Sequence, residues 1–229
     1  MKTELPDGLP LWEEPYPDPE LLRLDICAME SAIVNALFSV FPTDGVLGVY
    51  AKGSTVKTWD SPVDYVPEIS DLDIHVRISG ECAENNPLSA ISEYITFQRI
   101  MESEFRMKRP NPIHLPRPQV IFLNYLASIP NYVPSPRKTV KTLYGEPYDD
   151  KTDITGERYK KTILDTAYEL QKNLHLTSQR FFDKFGKYNF SAIRSISYRI
   201  SPSGPMLLIL GGIPFKDAWE KTEHNPLGA

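Results

Sequence analysis

Apolar and polar positions along the chain set out its first elements. Leu22, Ile26, Met29, Ile33, Leu37 and Val40 recur at spacings of three and four, one buried stripe of a helix ending near Phe41. Asp18-Pro19-Glu20 opens that helix: Asp as N-cap, Pro at the first helical position, an acid in the first turn. Pro42 to Gly45 stops it, and Val46 to Ala51 reads as a buried strand. Further on, Leu72, Ile74, Val76 and Ile78 alternate with Asp71, Asp73, His75 and Arg77, the period of a strand with one apolar face. Asn86-Pro87 predicts the start of a second helix with Leu88, Ile91, Ile95 and Phe105 turned inward. Gln119 to Asn124 predicts a third strand. Prolines punctuate 108–118 and 127–150, which read as irregular. From about Gly156 the pattern is helical alone, with Tyr159, Ile163, Ala167, Leu170 and Leu174 on one stripe.

A mixed half followed by a helical half predicts an α+β protein of two domains, a mixed β-sheet flanked by helices over 1–150 and an all-helical domain over 151–229. The chain has 229 residues, 41% apolar and 24% charged, which excludes global disorder and leaves enough chain for a sizeable core. No apolar run reaches the ~18–20 residues of a membrane span; Met206 to Leu210 is the longest pure run. Met1 to Pro6 carries no apolar signal core, and Cys27 and Cys82 form neither a disulfide framework nor zinc spacing. A cytoplasmic location is therefore expected. The net charge of −5 disfavours a nucleic-acid partner, which would want a basic face. The charge is uneven: residues 1–150 are acidic and 151–229 basic.

Candidate chemistry lies in one constellation: a strand, Gly53-Ser54, a loop, then Ser70-Asp71-Leu72-Asp73. Asp71 and Asp73, two apart on a predicted strand, share a face with Cα atoms roughly 6.5 Å apart. Two carboxylates so placed repel unless a cation lies between them. Hard oxygen ligands on a strand suit Mg²⁺, which takes one or two carboxylates together with substrate phosphates. Gly53 lets the backbone approach a phosphate, Ser54 adds a hydroxyl, and the residues after it are expected to start a helix whose N–H groups favour an anion. An Asp-x-Asp alone is commonly polar surface and a Gly-Ser alone a turn; the two in this order, each attached to a buried strand, are rarer.

These residues resemble the DNA polymerase β-like nucleotidyltransferase superfamily. Val49-Tyr50-Ala51-Lys52-Gly53-Ser54 followed by Ser70-Asp71-Leu72-Asp73-Ile74 is similar to its signature, firmly over residues ~30–80 and loosely over the first 150. The helical second half resembles the substrate-side domain of antibiotic-modifying members. The resemblance implies an NTP held at Gly53 and Ser54, expected to be ATP. Mg²⁺ would be held by Asp71 and Asp73, which are also the catalytic residues. A nucleoside monophosphate would pass to an acceptor hydroxyl, a small molecule being favoured, and pyrophosphate would leave. The alternative is a non-catalytic nucleotide-binding or antitoxin-like partner module on the same fold.

Two features depart from the family. The 16 residues between Ser54 and Asp71 make a long spacer. The strand expected to carry a third acid offers only Gln119 and Asn124, amides that can coordinate a metal but cannot serve as a base. Glu68, Asp60, Asp64 and Glu146 are the substitutes in reach of the sequence argument. His75 is read as lying on the face opposite the pair, outside the site, and His114 as plain surface. Lys52 and Lys57 are candidates to touch phosphates, Arg158, Lys160 and Lys161 to line the cleft, and Trp59 to stack on a base.

Overall fold

The computed structural model describes residues 16–60, 64–67, 70–129, 132, 134–135 and 137–149, with further positions at 164–165, 168, 171, 207–208 and 210–213. The chain divides into two compact units, Asp18–Thr155 and Met1–Pro17 with Gly156–Ala229. Of the second unit residues 16–17, short helical pieces within 164–171 and 207–210, and the turn at 211–213 are described, so the all-helical domain expected over 151–229 lies largely outside the described residues, and Arg158, Lys160 and Lys161 lie wholly outside them.

The first unit opens with helix α1 (Pro19–Val40). The Asp18 carboxylate accepts from the backbone N–H groups of Glu20 at 2.8 Å and Leu21 at 3.2 Å, satisfying donors that have no partner within the helix. Phe41 turns extended ahead of Pro42, which disfavours helix in the residue before it. Strands β1 (Val46–Lys52) and β2 (Leu72–Ile78) follow, then the short helix α2 (Gly80–Glu84) and helix α3 (Ile91–Lys108). Strand β3 (Pro118–Phe122), helix α4 (Leu123–Ser128) and strand β4 (Val140–Gly145) complete it. The sheet runs β3-β2-β1-β4; β2 and β3 are parallel, the other pairs antiparallel. This is a mixed sheet with helices packed on it, as expected. Among the described residues no helix is long and apolar enough to cross a membrane.

One core joins α1, α3 and the sheet. Ile26, Met29, Ile33 and Leu37 of α1 pack with Phe97, Met101 and Phe105 of α3 and with Val49, Ala51, Ile74 and Val76 of the central strands. Each large side chain of this kind contributes roughly 1.5–3 kcal/mol when fully buried. Two acids of α1 are buried and paired. Asp25 accepts from Arg109 Nε at 2.5 Å and from the N–H groups of Ile113 and His114 at 2.9 and 3.0 Å, pinning the loop before β3 to the helix. Glu30 pairs with Lys141 of β4 at 2.7 Å.

Several expectations change. Ile91 and Ile95 are exposed; Pro87–Ser89 forms a 3₁₀ turn, the helix begins at Ile91, and its inward face is Phe97, Met101 and Phe105 at spacings of four. The third strand ends at Phe122, and Asn124 lies on α4. Its side-chain oxygen accepts from the Ile78 N–H at 3.1 Å and its nitrogen donates to the Ile78 carbonyl at 3.0 Å, continuing the pairing of β2 where β3 has stopped. The stretch 127–150 is not irregular throughout, because β4 pairs with β1 along the sheet edge.

Candidate functional site

The site forms where β1 ends and β2 begins. Cross-strand pairing sets Lys52 opposite Asp73, and the parallel register sets Gln119 of β3 on the other side of Asp73. Paired residues project from the same side of a sheet, so the three side chains share a face. Gly53 follows β1 with φ +75, a left-handed conformation costly for other residues. A Cβ on Gly53 would lie 2.5 Å from Asp73 Oδ2, so any other residue here would strain the backbone and push the Asp73 carboxylate aside. The residues after it make one 3₁₀ turn, Gly53–Val56, in place of the expected helix start.

The two aspartates are not equivalent. Asp71 precedes β2, is nearly buried, and lies 3.5 Å from the Arg117 guanidinium, which also donates to the Ser70 carbonyl at 3.3 Å. Asp73 is half-buried, and among the described residues its carboxylate makes no hydrogen bond and no ion pair. Burial raises its carboxyl pKa, and the nearby Lys52 charge partly opposes this. Burial lowers the pKa of the Lys52 amine, with Asp73 opposing. Both groups are thus held out of full solvation, and each partly offsets the other's cost.

His75 corrects the sequence reading. Residues two apart on a strand point the same way, so His75 shares the face of Asp73 and not the opposite one. It lies across from Tyr50, is 1% exposed, and neither ring nitrogen has a hydrogen-bond partner among the described residues. Burial first and Lys52 second lower its pKa to about 3, so the imidazole is neutral at ordinary pH. Tyr50 folds across Gly48, where a Cβ would collide with its hydroxyl, and donates to the Glu146 carbonyl at 2.9 Å.

The other candidates fall outside the Asp71/Asp73 pair. Asp60 accepts from the Thr58 hydroxyl at 2.6 Å, Asp64 pairs with Lys57 at 3.6 Å, and Glu146 pairs with Arg77 at 3.2 Å. Glu68 lies outside the described residues. The described residues contain no group of three or more His, Cys, Asp or Glu that could hold a metal. His114 is not plain surface: its Nε2 is 2.7 Å from the Tyr65 hydroxyl, and its backbone N–H is held by Asp25. Arg117 was missed by sequence reasoning. It sits between Pro116 and Pro118 in a loop, and only the parallel pairing of β3 brings it to Asp71. Comparison with protein-family models, curated proteins and solved structures returns no match.

Proposed function

We propose that this protein is a nucleotidyltransferase that moves a nucleoside monophosphate from an NTP, ATP being expected, to a hydroxyl of a small molecule and releases pyrophosphate. The observation that carries the reading is the Gly53 turn closed against Asp73, a carboxylate with no ion pair of its own, with Lys52 beside both. The donor set fits a divalent hard cation: Asp73 offers free oxygens, the space a Cβ would fill at Gly53 lies against them, and Asp71 adds a carboxylate shared with Arg117. Bound there, Mg²⁺ would neutralise charge on the transferring phosphoryl group and on the acceptor oxygen. Gly53 and Ser54 would receive phosphate oxygens through backbone N–H groups and a hydroxyl, and Lys52 would offset their charge. Asp73 would orient the reacting group, since transfer of this kind depends chiefly on positioning and charge stabilisation.

Gln119 favours a second reading. It occupies the place beside Asp73 where a third carboxylate would serve as base, and an amide cannot take the acceptor's proton. On that reading the protein binds nucleotide without turning it over, as an antitoxin-like partner module would.

One experiment separates the two. The full chain is titrated with ATP and Mg²⁺ and then assayed for pyrophosphate with a panel of small hydroxyl acceptors. Binding with pyrophosphate release supports the transferase, and binding alone supports the second reading. Gly53→Val, which drives a branched side chain into Asp73 and strains the backbone, is expected to weaken ATP binding at least tenfold while the fold survives. Wild-type affinity in that variant would remove the turn from the site.

A further inference from the structure

Two polar side chains on one face of β2 lack the partners that their surroundings call for. His75 is 1% exposed, and neither ring nitrogen has a hydrogen-bond partner among the described residues. The Asp73 carboxylate likewise makes no hydrogen bond and no ion pair there. The two residues are one pleat apart, so their side chains leave the same face, with Cα atoms roughly 6.5 Å apart. They do not satisfy each other, since no hydrogen bond or ion pair joins them. A neutral imidazole carries one N–H and one bare lone pair, and a carboxylate carries lone pairs on both oxygens.

The neighbouring strands do not supply what is missing. Tyr50 lies across from His75 on β1, but its hydroxyl sits over Gly48 and donates to the Glu146 carbonyl. Gly48 is two residues before Tyr50 and Lys52 two after it, so the phenol leans away from the Lys52–Asp73 end of the face. On β3, Ile121 lies across from His75 and has no polar side chain, while Gln119 lies across from Asp73 and carries an amide oxygen. Beyond Asp73, Gly53 has no side chain, and a Cβ there would collide with Oδ2.

An unmet buried polar group in a native fold points to a water or an ion. A water would serve the imidazole and leave the Asp73 charge with only Lys52 to offset it. A dication meets both needs, drawing on a carboxylate oxygen and an imidazole lone pair at once. The mixed donors also select the ion. All-oxygen sites suit Mg²⁺, whereas an imidazole nitrogen favours the first-row transition metals.

We propose that Asp73 and His75 together hold a first-row transition-metal dication, Asp73 through a carboxylate oxygen and His75 through a ring nitrogen, with the Gln119 amide oxygen as a further donor. The proposal rests on the metal site of the nucleotide reading above and changes the ion that fills it. Water or substrate phosphate would complete the coordination.

Titrations of the full chain with Co²⁺, Mn²⁺ and Mg²⁺, each alone, test it. Pulsed electron paramagnetic resonance of the Mn²⁺ complex reports whether a nitrogen is coordinated. The expected result is Co²⁺ bound about tenfold more tightly than Mg²⁺, with nitrogen coupling on Mn²⁺. His75→Leu should weaken Co²⁺ about tenfold, abolish the nitrogen coupling and leave Mg²⁺ unchanged. Bound Mn²⁺ without nitrogen coupling would overturn the proposal, because oxygen alone would then hold the ion, and the Mg²⁺ reading would stand. Coupling that survives in His75→Leu would also overturn it, since another histidine would be the ligand. Wild-type protein that binds none of the three ions would overturn it too and leave water as the partner of His75; whether ATP with Mg²⁺ still binds then decides the nucleotide reading on its own. Should His75→Leu not fold, His75→Gln takes its place and must lose the nitrogen coupling; coupling retained there overturns the proposal.

Discussion

Asp73→Asn is expected to lower nucleotidyl transfer several hundredfold. The substitution keeps size and hydrogen bonding and removes one negative charge, so it isolates electrostatics. Loss of one preorganised group of this kind costs about 3–4 kcal/mol of transition-state stabilisation, which sets the factor in rate. Asp71→Asn should cost less, because the Asp71 carboxylate is already shared with Arg117, whereas Asp73 has no ion pair among the described residues. Stability should respond in the opposite direction. Burial raises the Asp73 carboxyl pKa, so its charged form works against folding once pH has risen through that value. Asn at 73 should therefore leave the melting temperature unchanged or raise it. Pyrophosphate release and thermal unfolding of both variants provide the check. Full activity in both would move the site elsewhere. If the wild type binds nucleotide without turnover, the same variants should instead lose Mg²⁺-supported binding.

His75 should dominate the acid sensitivity of the fold. Its folded pKa of about 3 lies below the unfolded value of 6.5, so the unfolded chain binds the extra proton between them. The cost is absent above about pH 6.5 and grows as pH falls toward 3, at up to ~1.4 kcal/mol per pH unit. Over the whole window that amounts to roughly 5 kcal/mol, a large share of a typical domain's stability. His75→Leu removes the titration and two buried nitrogens that lack partners, so it should also stabilise the protein near neutrality by about 1–3 kcal/mol. Urea unfolding at pH 7.5 and pH 5.0 measures both effects. The wild type should lose about 2 kcal/mol more than the variant over that interval. Equal losses would show that the imidazole is not held neutral by burial.

Much of the site could be read from residues because its parts are local. The α1 caps, the apolar run of β1 and the alternation of β2 each specify their element within a few positions, and Gly53, Ser54, Lys52 and Asp73 lie on or beside those elements. The alternation also held the answer for His75, since Asp73 and His75 are one full pleat apart. A histidine there is easily taken for outer surface, yet both faces of a central strand are covered at that point. β4 was obscured by its exposure: Lys141 and Thr142 are open to solvent, so its run lacks a continuous apolar face. Asn124 illustrates another limit. Its side chain copies the hydrogen bonds of a strand residue from a helix, which no periodicity reveals. Arg117 depends on a parallel register between segments distant in sequence, of which composition carries no trace, whereas Gln119 is legible on its strand and only its pairing with Asp73 had to come from the structure.

The strand order β3-β2-β1-β4 also sets a timetable for folding. β1 and β2 are joined through residues 53–71, β2 and β3 through 79–117, and β4 returns to β1 only after 139. Closing a longer stretch of chain forfeits more entropy before its contacts repay it, so non-local pairings form late. Lys52 and Asp73 should thus meet first, in the β1–β2 pair. Gln119 should follow once the crossover has closed, and β4 should seal the edge last. Pulse-labelled amide exchange during refolding should protect 46–52 and 72–78 ahead of 118–122 and 140–145, and simultaneous protection of all four strands would contradict that order. A chain halted between these stages would hold the Lys52–Asp73 pair without the wall that confines it, an open half-site exposing the bare edges of two strands to other copies of itself.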